Sequence, residues 1–313
     1  MLILAHALDR DGIIVTIIHS RQRLMPITAP LLSLHAAVVL FGFAALFGKW
    51  IAWDPVAIVF GRTVVAALVL GLWLKWRRSA TLRPSVALAL SGAILALHWY
   101  AFFAAVTISS VTTALLGYAS FPLFVLVLEH RANRGDRRPW RTIDLITTAL
   151  VVAGLTLTVR EFSWGNAAAQ GLAWGVVSGF TFAWLVVRTR GFATDNRGAP
   201  LAFWLNIFAA LCLAPVVVLQ GGVGGEVDAH TIGLVVVLGV VCTAIAHTLF
   251  IAGIAGTGSL PAAIVAALEP VYGIGLAWML LGEVPSLRTA LGASLLVAAA
   301  IVASARVPQS PVP

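Results

Sequence analysis

From Thr231 to Leu268 the chain contains no Asp, Glu, Lys or Arg. A water-soluble helix needs a polar face, so a stretch of this length has no place on a soluble surface. It is also too long for one membrane-crossing helix, because ~30 Å of hydrocarbon takes about 20 residues. The stretch therefore reads as two spans. The turn between them falls at Ala255, Gly256, Thr257, Gly258 and Ser259, with no charge to mark it. The rest of the chain agrees: 60% of it is hydrophobic and 10% charged, against roughly 45–50% and about 25% in soluble domains. That excludes a cytosolic enzyme, a disordered chain and a disulfide-stapled secreted module. Cys212 and Cys242 both lie in apolar runs, so neither a disulfide framework nor a thiolate metal site is expected, and no cofactor is implied.

Ten apolar segments lie between charged or turn-forming breaks: 30–50, 55–76, 84–106, 110–129, 141–159, 168–188, 199–219, 230–252, 259–282 and 287–305. Each is about one span long, and the alternation of a lipid-facing barrel is absent. The expected fold is an all-α polytopic membrane protein with ten transmembrane helices. A second split without a charge falls at Thr107, Ile108, Ser109 and Ser110. If the N-terminus is cytoplasmic, 16 of the 20 Lys and Arg share the cytoplasmic side, leaving Lys49, Arg62, Arg160 and Arg288. Basic residues collect in cytoplasmic loops during insertion, so both termini are expected in the cytoplasm. The net charge of +8 then needs no nucleic-acid partner.

Residues 1–29 are expected to form an N-terminal cytoplasmic tail. Met1–Leu8 is too short for a secretory apolar core and is followed by Asp9, Arg10 and Asp11. Met25, next to Pro26 at the edge of the first span, is an alternative start. The Pro-rich 307–313 reads as a frayed tail.

The two halves resemble each other. An offset of 148 lays 97–122 on 245–270 without a gap, matching Phe102 with Phe250, Ala114 with Ala262, Ala119 with Ala267 and Pro122 with Pro270. Offsets of 138 and 147 lay 33–47 on 171–185 and Arg141–Thr142 on Arg288–Thr289. The chain thus divides into a first five-helix repeat, 30–160, and a second, 168–306. Five is odd, so the second enters the membrane inverted, the arrangement of many secondary transporters. Two inverted halves suit alternating access, since exchanging their conformations opens a central site to the other side.

Ten spans as five plus five, Gly48–Lys49 closing the first, Arg62 in the second, Pro122 and Pro270 in the fourth and ninth, and Glu283 after the ninth resemble the EamA-type drug/metabolite transporters. Within that superfamily, Leu34–His35, Lys49–Trp50, Phe60–Gly61–Arg62, His98–Trp99–Tyr100 and Tyr118 are most similar to the YddG-type aromatic amino acid exporters. The resemblance implies a secondary exporter of small metabolites in a bacterial inner membrane, with amino acids, aromatic and other hydrophobic ones favoured. No ATP-binding motif is present, so a gradient would drive it. The implied partners are a small-molecule substrate and membrane lipid, and a monomer is compatible with the reading.

Ionisable groups inside a bilayer cost ~2.5–3.5 kcal/mol on insertion scales, so each is a functional candidate. They are His35, Lys49, Arg62, His98, Glu129, His247 and Glu269. Lys49 and Glu129 are near enough to span ends to snorkel. Arg62 lies mid-span and reads as a structural clamp on carbonyls at a broken or closely packed helix. Lys49 joins it as a structural intramembrane charge.

Spans three, four, eight and nine concentrate polar and aromatic groups, and in span six Trp174, Ser178, Thr181 and Trp184 share a broad face that could reach the same cavity. The substrate-binding set is His98, Trp99, Tyr100, Tyr118, Trp184, His247, Glu269 and Tyr272. Its rings would hold an apolar or aromatic moiety, while hydroxyl, imidazole and carboxylate groups hold a polar end. Interhelical hydrogen bonding in a packed bundle is the alternative for each residue taken singly. Glu269 precedes Pro270, which removes a backbone donor and loosens the helix, as Pro122 does in span four. The repeat-mate of Glu269 is Phe121, so the second half alone supplies the carboxylate. It could bind an ammonium group or carry a coupling proton, and either histidine could do the latter.

Other patterns are structural. Gly171, Gly175 and Gly179 suit close helix packing. The run Gly221, Gly222, Gly224 and Gly225 lacks the Lys-Ser/Thr of a phosphate loop. Trp50, Trp53, Trp73, Trp76, Trp140 and Trp164 are interfacial anchors. No HExxH pair, GxSxG elbow or paired aspartate is present, so the chain is not expected to be an enzyme. The competing transport reading is efflux of cationic aromatic compounds, with Glu269 as counter-charge and cation–π contacts to the rings.

Overall fold

The computed structural model describes residues 4–8, 14–18, 28–79, 82–132, 142–158, 165–189, 198–257, 265–266 and 268–304. Each of the ten expected spans contains helix. The helices are α1 Thr28–Ala44, α2 Phe47–Trp50, α3 Pro55–Trp76, α4 Val86–Ile108, α5 Val111–Tyr118, α6 Phe121–Ala132 and α7 Thr142–Thr158. They continue as α8 Ala167–Thr189, α9 Gly198–Leu219, α10 Ala229–Gly239, α11 Ala246–Thr257, α12 Glu269–Leu281 and α13 Leu287–Ser304. A π-helical turn, Val240–Ile245, joins α10 to α11.

Among the described residues, six helical stretches are long and apolar enough to cross a membrane, and α7, α12 and α13 are shorter apolar helices. The exception is α8, long enough at 23 residues but carrying Gly171, Trp174, Gly175, Ser178, Gly179 and Thr181 where other spans carry aliphatics. The split expected at 107–110 is a turn at Ser109 and Ser110, whose Ser110 Oγ accepts from Thr113 N–H at 3.0 Å and caps α5. Of the other uncharged split, Ala255, Gly256 and Thr257 still belong to α11, and Gly258 and Ser259 lie outside the described residues. Within the expected tail, Leu4–Leu8 (β1) pairs antiparallel with Ile14–Ile18 (β2), Leu4 opposite Ile18. The run Ile14, Val15, Thr16, Ile17 and Ile18 is β-branched throughout, which favours a strand.

Large apolar side chains face outward, Leu32, Leu68, Leu72, Val218 and Leu219 each more than half exposed, while Arg62, His98, Asn206, Thr243 and Glu269 are buried. That inversion of the soluble pattern fits a body solvated by lipid.

The packing repeats under exchange of the halves. Span three (α4) lies against span six (α8), and span eight (α11) against span one (α1). Span four (α5, α6) lies against α8, and span nine (α12) against α1. Spans two and seven (α3, α9) and spans five and ten (α7, α13) pair with their own mates. Each helix pair thus has its counterpart, as a pseudo-two-fold axis requires.

Glycine sets two of these approaches. A Cβ on Gly42 would stand 2.8 Å from Gly273 N, and one on Gly117 would stand 2.6 Å from the Leu172 carbonyl and 2.8 Å from Gly175 Cα. Both equivalent contacts, α1 with α12 and α5 with α8, therefore need bare backbone on both sides. The stripe Gly171, Gly175 and Gly179 is one side of the second.

The prolines break spans four and nine at matching places. Tyr118 ends α5, a turn follows at Ala119 and Ser120, and Pro122 is the second residue of α6. Leu268 caps α12 with Pro270 second. Proline has no N–H to lose at the start of a helix, so each proline begins a half-helix instead of bending a whole one.

Candidate functional site

The breaks and the π turn meet at the centre. Span one is interrupted at Ala45–Leu46 between α1 and α2. Around these irregularities lies a cavity of about 70 Å³, lined by Phe41, Ala44, Arg62, His98, Trp99, Phe102, Tyr118, Phe182, His247, Phe250 and Glu269. That is room for several waters, since one needs ~10–15 Å³ on this scale. Irregular backbone at membrane depth is tolerated where it lines such a space.

Glu269 is the first residue of α12, where the unpaired N–H groups of a helix start favour a carboxylate. Tyr118, last residue of α5, lines the same cavity as that carboxylate. The two residues bring the two broken spans, one from each repeat, to one cavity.

Arg62 comes from the middle of α3. Its Nε donates to Thr243 Oγ1 at 3.0 Å and its Nη2 to the Cys242 carbonyl at 3.4 Å. Both acceptors lie in the π turn, which also bonds Thr243 Oγ1 to the Leu238 carbonyl at 2.8 Å, five residues back. Its guanidinium lies 4.1 Å over the Trp99 ring and 5.5 Å from that of Phe103. A planar, weakly hydrated cation suits this combination of ring face and carbonyl.

His98 Nδ1 sits 2.9 Å from the Ser178 carbonyl, with Ser178 Oγ at 3.0 Å. A carbonyl only accepts, so Nδ1 carries the hydrogen and Nε2 is left as the acceptor in the neutral ring. His247 stacks on Trp99 at 5.2 Å and meets Phe41 edge-on at 5.5 Å. Tyr118 and Phe182 pack at 5.3 Å, and Phe41 and Phe250 at 5.6 Å, completing an aromatic wall.

Of the sequence candidates, His98, Trp99, Tyr118, His247 and Glu269 line the cavity; Tyr100, Trp184 and Tyr272 do not. Two residues along a helix turn a side chain about 200° away. Tyr100 therefore leaves the His98 face and meets Trp174 at 5.5 Å, and Trp184 leaves the Phe182 face. The Tyr272 hydroxyl lies 2.9 Å from His35 Nδ1, between α12 and α1. The lining residues Phe41, Ala44 and Phe182 are not distinguished by the sequence, and Phe102 and Phe250 stand out there only as a pair matched between the repeats. The side chain of Glu129 lies outside the described residues.

One end of the bundle is tied across the repeats. Glu283, just after α12, accepts from Val111 N–H at 3.1 Å, Thr112 N–H at 3.1 Å and Thr112 Oγ1 at 3.0 Å, capping α5. Arg288 Nε donates to the Leu157 carbonyl at 2.8 Å, Trp53 Nε1 to the Glu226 carbonyl at 2.7 Å and Asp54 N–H to the Val223 carbonyl at 3.1 Å. Lys49 Nζ adds a bond to the Ser109 carbonyl at 2.8 Å. Among the described residues no cluster of three or more His, Cys, Asp or Glu is placed to hold a metal ion.

The sequence model of the EamA-like transporter family matches residues 28–160 and again 169–305. A solved crystal structure superposes with a TM-score of 0.61 at 18% identity, covering 88% of this chain and 96% of that one. At that identity the likeness is one of fold. No curated protein matches.

Proposed function

The chain belongs to the EamA-like transporter family, a family of membrane transporters of small solutes, and from that premise we propose that it exports amino acids, aromatic and other hydrophobic ones favoured, by alternating access through the central cavity. The observation that carries this reading is one cavity holding a carboxylate, a guanidinium and a wall of rings. A zwitterion fits it: the ammonium group at Glu269, the carboxylate toward Arg62, and an aromatic side chain among Trp99, Phe102, Phe182 and Phe250. The YddG-type likeness in spans one to four supports the same substrate class.

Arg62 serves two ends in this reading. It holds the π turn through Thr243 and Cys242, and it sets a positive charge beside the cavity. The exchange symmetry of the packing supports alternating access, and the tied end fits a state closed on the side of Lys49, Glu283 and Arg288. Under the count of basic residues that side is extracytoplasmic, with both termini in the cytoplasm of a bacterial cell.

A second reading, efflux of cationic aromatic compounds, is favoured by Glu269 and the rings together. Arg62 opposes it, because a second cation in a low-dielectric cavity is repelled. Counterflow in proteoliposomes across a panel of amino acids and cationic dyes, repeated with an imposed pH gradient, separates the two. Uptake of phenylalanine undisturbed by excess quaternary cation supports amino acid export. Dye uptake without phenylalanine uptake contradicts it.

A further inference from the structure

We infer that the basic end of α3 and the ring of Phe203 on α9 form a seat for the headgroup of one anionic phospholipid. A second cavity, of about 340 Å³, lies there, lined by Gly71, Leu74, Lys75, Arg78, Ser79 and Phe203. Its floor is apolar. The Phe203 ring lies over Gly71, where a Cβ would come within 3.0 Å of Cε2. Its rim carries two cations and a hydroxyl, and among the described residues no carboxylate lines it to neutralise them.

The backbone at the rim is the independent sign that the cations matter. α3 ends in a Schellman turn: Arg78 N–H bonds the Lys75 carbonyl and Ser79 N–H the Leu74 carbonyl, each at 3.1 Å. The residue at the left-handed position of such a turn is ordinarily glycine, because any Cβ is strained there. Here it is Arg78 at φ 49°, the one non-glycine residue with positive φ among the described residues. Strain held at one position in this way points to a use for the side chain.

The surroundings fix the level in the membrane. Trp73 and Trp76 are 41% and 77% exposed, and the Arg77 guanidinium lies 5.9 Å and 6.0 Å from their rings. Exposed tryptophans beside exposed Leu68 and Leu72 mark the boundary between hydrocarbon and headgroups. A basic pocket between helices at that depth suits a lipid phosphate, and the apolar floor of Leu74 and Phe203 suits an amphiphile over free phosphate. The site lies apart from the central cavity and does not depend on which solute is carried.

Native mass spectrometry of the full-length protein, titrated with phosphatidylglycerol and separately with phosphatidylcholine, tests this. One phosphatidylglycerol per chain should bind, at least tenfold more tightly than phosphatidylcholine. One charge near a headgroup is worth about fivefold in affinity, so Lys75→Gln and Arg78→Gly should each weaken binding by that factor. Arg78→Gly should also leave the melting temperature unchanged or raised, because glycine relieves the strained turn. Arg188→Gln, a cation on α8 outside the pocket, should change nothing. Equal binding of the two lipids, or a Lys75→Gln/Arg78→Gly double variant that binds as the unaltered chain does, would overturn the proposal. So would displacement of the lipid by millimolar inorganic phosphate, which would assign the seat to a soluble anion.

Discussion

Tyr118 and Glu269, one from each repeat, line the same central cavity. Tyr118 closes one half-helix just before the Pro122 break, and Glu269 opens another at the Pro270 break. The cavity therefore brings together two pieces of backbone that need not move together, at the one acidic group among the described lining residues. Tyr118→Phe keeps the ring packed on Phe121 and Phe182 and removes the hydroxyl facing the same cavity as Glu269; a hydroxyl that bonds across the repeats there would be worth ~1 kcal/mol of stability. Thermal unfolding in detergent reads that loss. An unchanged melting temperature would mean that the hydroxyl makes no such stabilising bond.

Thr243→Val keeps the side chain's shape and removes the acceptor for Arg62 Nε. A hydrogen bond to a charged group is worth about 1.5–3 kcal/mol, and a loss of that order is expected. Arg62→Lys should be worse, because an ammonium group cannot lie flat over Trp99 while reaching both Thr243 and the Cys242 carbonyl. Comparing the two melting temperatures checks the order. Full stability in Arg62→Lys would contradict the clamp.

Gly117→Ala puts a Cβ 2.6 Å from the Leu172 carbonyl, and backbone cannot yield cheaply. The expected cost is ~1–3 kcal/mol, as for other overpacked contacts. Gly275→Ala, also helical, meets nothing within 4 Å and should stabilise by up to about 1 kcal/mol. Opposite signs for two identical substitutions are the outcome to look for in denaturation curves.

Glu283→Ala leaves Val111 N–H and Thr112 N–H without their side-chain acceptor. Loss of a helix cap costs ~1 kcal/mol, and here it also unties the repeats at the closed end. A cysteine introduced at Ser110 should then react faster with a membrane-impermeant thiol reagent added from that side. Equal labelling with and without Glu283 would show that the cap has no part in closing it.

Much of this was legible in the chain. Charge-free runs gave the spans, and Pro122 over Pro270 gave the repeat and the sites of the breaks. Glu269, His98 and His247 stood out because an ionisable group in an apolar run is expensive. Phe41 and Phe182 did not, because phenylalanine is ordinary in a span and its identity does not say which way it faces. The π turn was hidden for a different reason. Val240, Val241, Cys242, Thr243, Ala244 and Ile245 carry no glycine or proline, so the partners of Arg62 appear only once the helices pack. Tyr100, Trp184 and Tyr272 were selected for chemistry, and helical geometry turned them elsewhere.

Uptake of labelled phenylalanine by counterflow, in proteoliposomes of the unaltered protein and of Glu269→Gln, bears most directly on the amino acid reading. The account predicts uptake by the unaltered protein that persists under excess quaternary cation and falls at least tenfold in Glu269→Gln. Phenylalanine uptake at the same rate in both proteins, or in neither, would contradict it.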